Sequence, residues 1–148
     1  MPKPSRRSKP KPGRGPQGGV RADDGPRPEM ILDFEFDDGA FFIVLRNIGA
    51  RPACRVCTVL EPKIRGLGGD LDVASLPLLR EIPFFAPGKQ IRFLLDSSAL
   101  YFSRGEPTRI TARMIYCDDQ NKEFETVIQH DLEIYRSLAY RVRSTYVP

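Results

Sequence analysis

Cys54-Arg55-Val56-Cys57 is a C-x-x-C, a spacing with direct chemical meaning. At the start of a helix such a pair forms a redox couple, because the helix dipole lowers the pKa of a thiol. Here the flanking run, Ala53 to Leu60, is rich in Cys, Val and Thr and predicts a strand. Residues three apart on a flat strand point to opposite faces, so the two thiols are expected to face apart. Cys117 and His130 would complete a Cys₃His zinc set, but Cys54 and Cys57 can close on one ion only across a bulge. The expectation is three small free thiols, with no metal and no cofactor. A disulfide between Cys117 and one of the other two is the remaining arrangement; the odd cysteine count and the lack of a signal peptide favour reduced thiols.

No other cluster looks catalytic. His130 is the one histidine, beside Asp131. Ser137 or Cys117 could be nominated as its nucleophile, but no G-x-S-x-G elbow marks either. Asp37-Asp38, Asp70/Asp72 and Asp118-Asp119 fall in predicted turns, where Asp serves the backbone. Gly66-Leu67-Gly68-Gly69 lacks the Lys-Ser/Thr of a phosphate loop. No catalytic residue is assigned, and the protein is not expected to be an enzyme.

The side chains suited to binding are aromatic and cationic. Tyr101 and Phe102 precede Arg104 in a predicted loop, a composition typical of binding hot spots. They would otherwise fold back and plug one end of the fold. A second loop, Asn47 to Pro52, supplies Asn47 and Arg51, with Asn47 and Gly49 also suited to shaping the turn itself. Asn47, Arg51, Tyr101, Phe102 and Arg104 are the candidate binding residues, with an exposed sheet edge near Leu76 to Phe85 as the alternative surface. Tyr135, Arg136, Tyr140, Arg141, Arg143 and Tyr146 interleave in the tail, a pattern that either stacks on single-stranded nucleic acid or packs on the body with its Arg solvated.

These residues must be held by strands. Met30, Leu32, Phe34 and Phe36 alternate with Ile31, Asp33 and Glu35, a half-buried strand. Asp37-Asp38-Gly39 makes a hairpin turn into Ala40–Asn47. Further strands are predicted over 53–60, 89–95, 109–117 and 123–132, with a long loop over 61–75. The segment 76–85 contains Pro77 and Pro83 and reads as an edge strand or irregular. About seven strands at short spacing predict an all-β, immunoglobulin-like antiparallel β-sandwich, with a small barrel as the alternative. The predicted core includes Phe34, Val44, Phe93, Met114 and Ile128.

The 148 residues suit one domain, and no apolar run exceeds six residues, so no membrane span is expected. Charge is unevenly placed. Residues 1–29 hold eight basic and three acidic residues, a net +5, while 30–148 hold fifteen and sixteen, a net −1. Seven Pro and five Gly fill that arm, a composition too poor in apolar side chains to order itself. The expected organisation is a disordered basic arm over 1–29 and a sandwich with a C-terminal extension over 30–148. Arg6, Arg7, Lys9, Lys11 and Arg14 would carry any electrostatic hold on nucleic acid. Without an apolar core after its basic start the arm is not a signal peptide, so a cytoplasmic location is expected.

Three short motifs resemble a family. Asn47-Ile48-Gly49 followed by Ala53 and Val56 is similar to the N-x-G-x-x-x-A signature of bacterial immunoglobulin-like modules of the cell-adhesion-related (CARDB-like) type. Pro87-Gly88 before Ile91-Arg92-Phe93 resembles the turn that opens a later strand in those modules. Tyr116-Cys117-Asp118-Asp119 and Phe124 resemble their final hairpin. The resemblance spans 30–133 and implies a sandwich fold, with Asn and Gly shaping a loop and Ala starting the next strand, and a non-catalytic role. The expected function is therefore protein interaction or assembly with another protein as partner. The alternative is nucleic-acid association through the arm.

Overall fold

The structure, a computed structural model, describes Pro2 and residues 25–139. Seven strands of four to nine residues form two antiparallel sheets. One has the order β1–β2–β7, from Met30–Asp37, Ala40–Asn47 and Gln90–Ser97. The other has the order β6–β3–β8–β9, from Ile82–Phe85, Ala53–Glu61, Arg109–Cys117 and Glu123–Asp131. The sheets bury one core between them: Leu32, Phe34, Phe41 and Ile43 from the first, Val56, Ile110 and Met114 from the second. The predicted all-β sandwich is present.

Sequence and register agree in the first hairpin. Asp38 and Gly39 both take positive φ, 48° and 77°, the backbone a two-residue hairpin turn requires. β1 then pairs with β2 without a shift, from Met30 opposite Asn47 to Asp37 opposite Ala40. Of the predicted core, Phe34 and Met114 are buried, whereas Phe93 and Ile128 are only half-buried. Val44 is buried from the other side. It stands opposite Arg92, whose guanidinium lies 3.7 Å from the Phe42 ring centre and pairs with Glu35 at 3.0 Å and Asp37 at 3.1 Å. That lattice roofs the outer face of the three-stranded sheet.

Predicted loops hold more structure than their composition suggests. Residues 61–75 carry a two-residue ladder, β4 (Arg65–Gly66) with β5 (Leu71–Asp72), and two 3₁₀ turns. The segment 76–85 divides into a helical turn, α1 (Pro77–Arg80), and the edge strand β6. A six-residue helix, α2 (Ser98–Ser103), occupies the predicted loop after β7, with Ser97 Oγ accepting from Leu100 N–H at 3.1 Å. After β9 a 3₁₀ turn, Leu132–Tyr135, and α3 (Arg136–Ala139) fold over the same end.

Two boundaries differ from the sequence reading. The residues just before Met30, assigned to the arm, belong to the fold. Pro28 is buried, Arg27 O accepts from Ala50 N–H at 3.1 Å, and Glu29 O accepts from Ile48 N–H at 2.8 Å. The disorder expected of the arm concerns residues that otherwise lie outside the described ones. In β3 the expected alternation fails between Cys54 and Cys57, where Arg55 takes φ 49° and one extra residue enters the strand.

The sheet edges are treated unequally. On β1, His130 Nε2 donates to Leu32 O at 2.9 Å and Phe34 N–H donates to Asp33 Oδ1 at 2.9 Å. On β7, β4 lies so close that a Cβ on Gly66 would stand 2.3 Å from Leu95 O. β6 has four residues and contains Pro83, which removes a donor. β9 is a nine-residue edge without Pro or bulge, and among the described residues no strand pairs with its outer side.

Candidate interaction surface

The five candidate binding residues do not converge. Asn47 closes β2, while Tyr101, Phe102 and Arg104 lie near the end where β2 begins, with Ser98 N–H donating to Gly39 O at 2.9 Å. An eight-residue strand separates the two loops, roughly 23 Å at about 3.3 Å per residue. The single loop cluster expected from sequence is therefore absent.

Four of the five are engaged internally. Asn47 is fully buried: Oδ1 accepts from Glu29 N–H (3.1 Å) and Gly49 N–H (3.0 Å), and Nδ2 donates to Arg51 O (2.9 Å) and Phe85 O (3.2 Å). Tyr101 is fully buried with its hydroxyl donating to Pro107 O, and both Tyr101 and Phe102 pack edge-on against Phe41. Burial pushes the Tyr101 hydroxyl well above its ordinary pKa, and the nearby Glu106 charge pushes the same way. Arg104 pairs with buried Asp96 at 2.7 Å and with Glu106 at 3.5 Å, while Gly68 N–H donates to Asp96 at 3.1 Å. These contacts clamp the 61–75 loop against β7 and α2. Arg51 remains at the surface, paired with Asp119 at 3.0 Å.

Of the tail, Tyr135 stacks on Phe36 and Arg136 lies 4.4 Å from the Phe102 ring centre, so this part packs on the body. Tyr140, Arg141, Arg143 and Tyr146 lie outside the described residues, as do Arg6, Arg7, Lys9, Lys11 and Arg14. Asp118 is a turn-former, its Oδ1 accepting from Gln120 N–H and Lys122 N–H at 2.9 and 2.8 Å.

The bulge in β3 corrects the expectation for the thiols. Cys54 stands opposite Cys117 and Cys57 opposite Ile115, so all three cysteines share the outer face of the four-stranded sheet. Arg55 Nη2 donates to Cys117 Sγ at 3.1 Å and to Asn121 Oδ1 at 3.2 Å. Burial raises the Cys57 pKa; Glu81 adds to this and Arg55 opposes it. His130 pairs with Ile110 at the far end of β8 from Cys117, so the Cys₃His set is not assembled.

Sequence reasoning missed the outer face of this sheet. Val59 is 51% exposed and Val127 50%, flanking Arg113 across the strands, with Phe84 (57%) opposite Cys54. Between them Arg113 pairs with Glu125 at 2.6 Å, while the two valines stay about half exposed. Next to this row runs the open edge of β9, whose outward side chains are Glu123, Glu125, Val127, Gln129 and Asp131. The alternation was visible in the sequence, but only topology shows that β9 is an edge. Among the described residues no helix is long and apolar enough to cross a membrane.

A family model for a domain of unknown function, DUF8453, matches residues 19–136, and the chain belongs to that family. No curated protein and no solved structure matches the chain.

Proposed function

We propose that this member of the family is a non-catalytic, immunoglobulin-like interaction module that takes up an extended segment of another polypeptide along β9. The strand order, β1–β2–β7 facing β6–β3–β8–β9, supports the immunoglobulin-like part of the reading, in line with the cell-adhesion-related resemblance. The observation that carries the function is the contrast among edges. Three are blocked by side chains, a loop or a proline; the fourth, β9, runs nine residues without proline or bulge and has no described strand paired to its outer side, with His130 near its end reaching Leu32 O of β1. An edge of that kind recruits a strand through main-chain hydrogen bonds, with side chains supplying selectivity.

Charge defines the partner. Glu123, Glu125 and Asp131 flank Val127; Glu125 already pairs with Arg113 at 2.6 Å and Asp131 with Arg109 at 3.9 Å, so the fitting strand is apolar at its centre and basic where it meets Glu123. A second copy fits poorly: antiparallel self-pairing about Val127 would set Glu123 opposite Asp131 of its mate, and like charges directly opposite are destabilising.

The test uses the full chain and a blocked peptide alternating threonine with lysine around a central valine. Millimolar peptide should slow amide exchange across Glu123–Asp131, and a glutamate version should do so much less. Glu123→Lys should narrow that difference. Unchanged exchange along β9, or equal action of both peptides, would sink the proposal. The charge contrast between arm and body, +5 against −1, favours a second reading. In it the arm holds nucleic acid non-specifically, and its mark is affinity that falls steeply with salt.

A further inference from the structure

The outer face of β3 and β8 carries a second feature, independent of the β9 edge. All three cysteines of the chain lie there, and none is in a disulfide. Cys54 and Cys117 are partners in the register of an antiparallel pair. Such partners have Cα atoms roughly 4.5 or 5.5 Å apart, within the span of about 4.4–6.8 Å that a disulfide bridges. Cys57 is set one pair along, opposite Ile115, and reaches Cys117 only diagonally. The alignment exists because of the bulge. Without the extra residue at Arg55, Cys57 would face the opposite way from Cys54.

We infer that Cys54 and Cys117 are a thiol–disulfide site, closing to a cross-strand disulfide when the protein meets a small-molecule disulfide of the glutathione class. Cys54 is half-buried and reachable, whereas Cys117 is buried beneath Arg55. Access therefore orders the steps. The Cys54 thiolate attacks one sulfur of the small disulfide and expels the first small thiolate, leaving a mixed disulfide. The Cys117 thiolate then attacks the Cys54 sulfur and expels the second. Two protein thiols lose two protons and two electrons, and one small disulfide becomes two small thiols. Arg55 must release Cys117 Sγ for the second step, and its other partner, Asn121, lies in the β8–β9 turn. Cys57 is the bystander, because it stands opposite Ile115 and reaches Cys117 only across the diagonal; burial also raises its pKa.

The test is oxidation of the full chain with oxidised glutathione, read by intact mass and by mapping of the bridged peptides. The expected product has lost two hydrogens, carries no glutathione, and joins Cys54 to Cys117. Cys57→Ser should give the same bridge. Cys54→Ser should give none, and Cys117→Ser should stop at the mixed disulfide on Cys54. Dithiothreitol should restore three titratable thiols. A product holding only glutathione adducts, or a bridge that includes Cys57, would overturn the assignment. Circular dichroism of each variant shows that a missing bridge is not simply lost fold.

Discussion

The backbone N–H of Glu29 donates to Oδ1 of Asn47 across 3.1 Å, and this bond ties the chain's lead-in to the loop between β2 and β3. The other three bonds of the Asn47 amide reach Gly49, Arg51 and Phe85, so one buried side chain ties the lead-in, the β2–β3 loop and β6 together through four backbone groups. Asn47→Ala strands two carbonyls and two N–H groups and should cost about 3 kcal/mol or more. Asn47→Asp should cost more still, because it turns the donor toward Arg51 O and Phe85 O into an acceptor and buries a charge. Urea unfolding measures both. An Asp variant as stable as the wild type would refute this account of the site.

The lead-in makes a second, non-additive prediction. A Cβ on Gly49 would lie 2.3 Å from Arg27 O and 2.5 Å from Glu29 N. Gly49→Ala should therefore destabilise the chain strongly, through backbone contacts that cannot shift cheaply. A chain starting at Gly25 should melt like the full chain, whereas one starting at Met30 should melt lower. In the chain starting at Met30 most of the Gly49→Ala penalty should vanish, since the atoms it strikes are gone. Penalties that simply add in the double variant would mean the strain lies elsewhere.

How far the sequence could be read follows from which signals are local. Alternation in β1 and the Asp38-Gly39 turn are local, and they yield the first hairpin with its register. The bulge at Arg55 is not local: a positive φ on an Arg is imposed by pairing with β8, so strict alternation misplaced Cys57. α2 carried a readable cap in Ser97, but its six residues are too few for periodicity to stand out. The candidate binding residues were chosen by type. Type alone cannot distinguish an exposed Tyr or Asn from one that fills its bonds inside, as Tyr101 and Asn47 do. The β9 edge and the uncovered face beside it depend on strand order, which no stretch of sequence contains.

Arg104 and Asp96 should behave as one unit. Asp96 is 3% exposed and Arg104 is its ionic partner at 2.7 Å. Arg104→Ala leaves a buried carboxylate without its cation and should cost about 3–5 kcal/mol. Adding Asp96→Asn should recover part of that loss, so the double variant should be more stable than Arg104→Ala alone. Chemical denaturation of the three variants decides it, and a double variant less stable than either single one would contradict a paired-charge role.

Tyr101 links the same end of the fold to pH. Its folded-state pKa lies above the ordinary tyrosine value of 10.0, mainly from burial and then from the Glu106 charge. The folded form thus holds its phenolic proton more tightly than the unfolded chain does. Its contribution to stability is complete below the unfolded value and is lost as pH rises from there toward the folded value. Stability should accordingly fall with pH above 10.0 in the wild type. Tyr101→Phe removes the hydroxyl that donates to Pro107 O and should cost about 1 kcal/mol near neutrality. It should also flatten the alkaline decline, so the two stability curves converge as pH rises. Parallel curves across that range would show that Tyr101 does not carry the linkage.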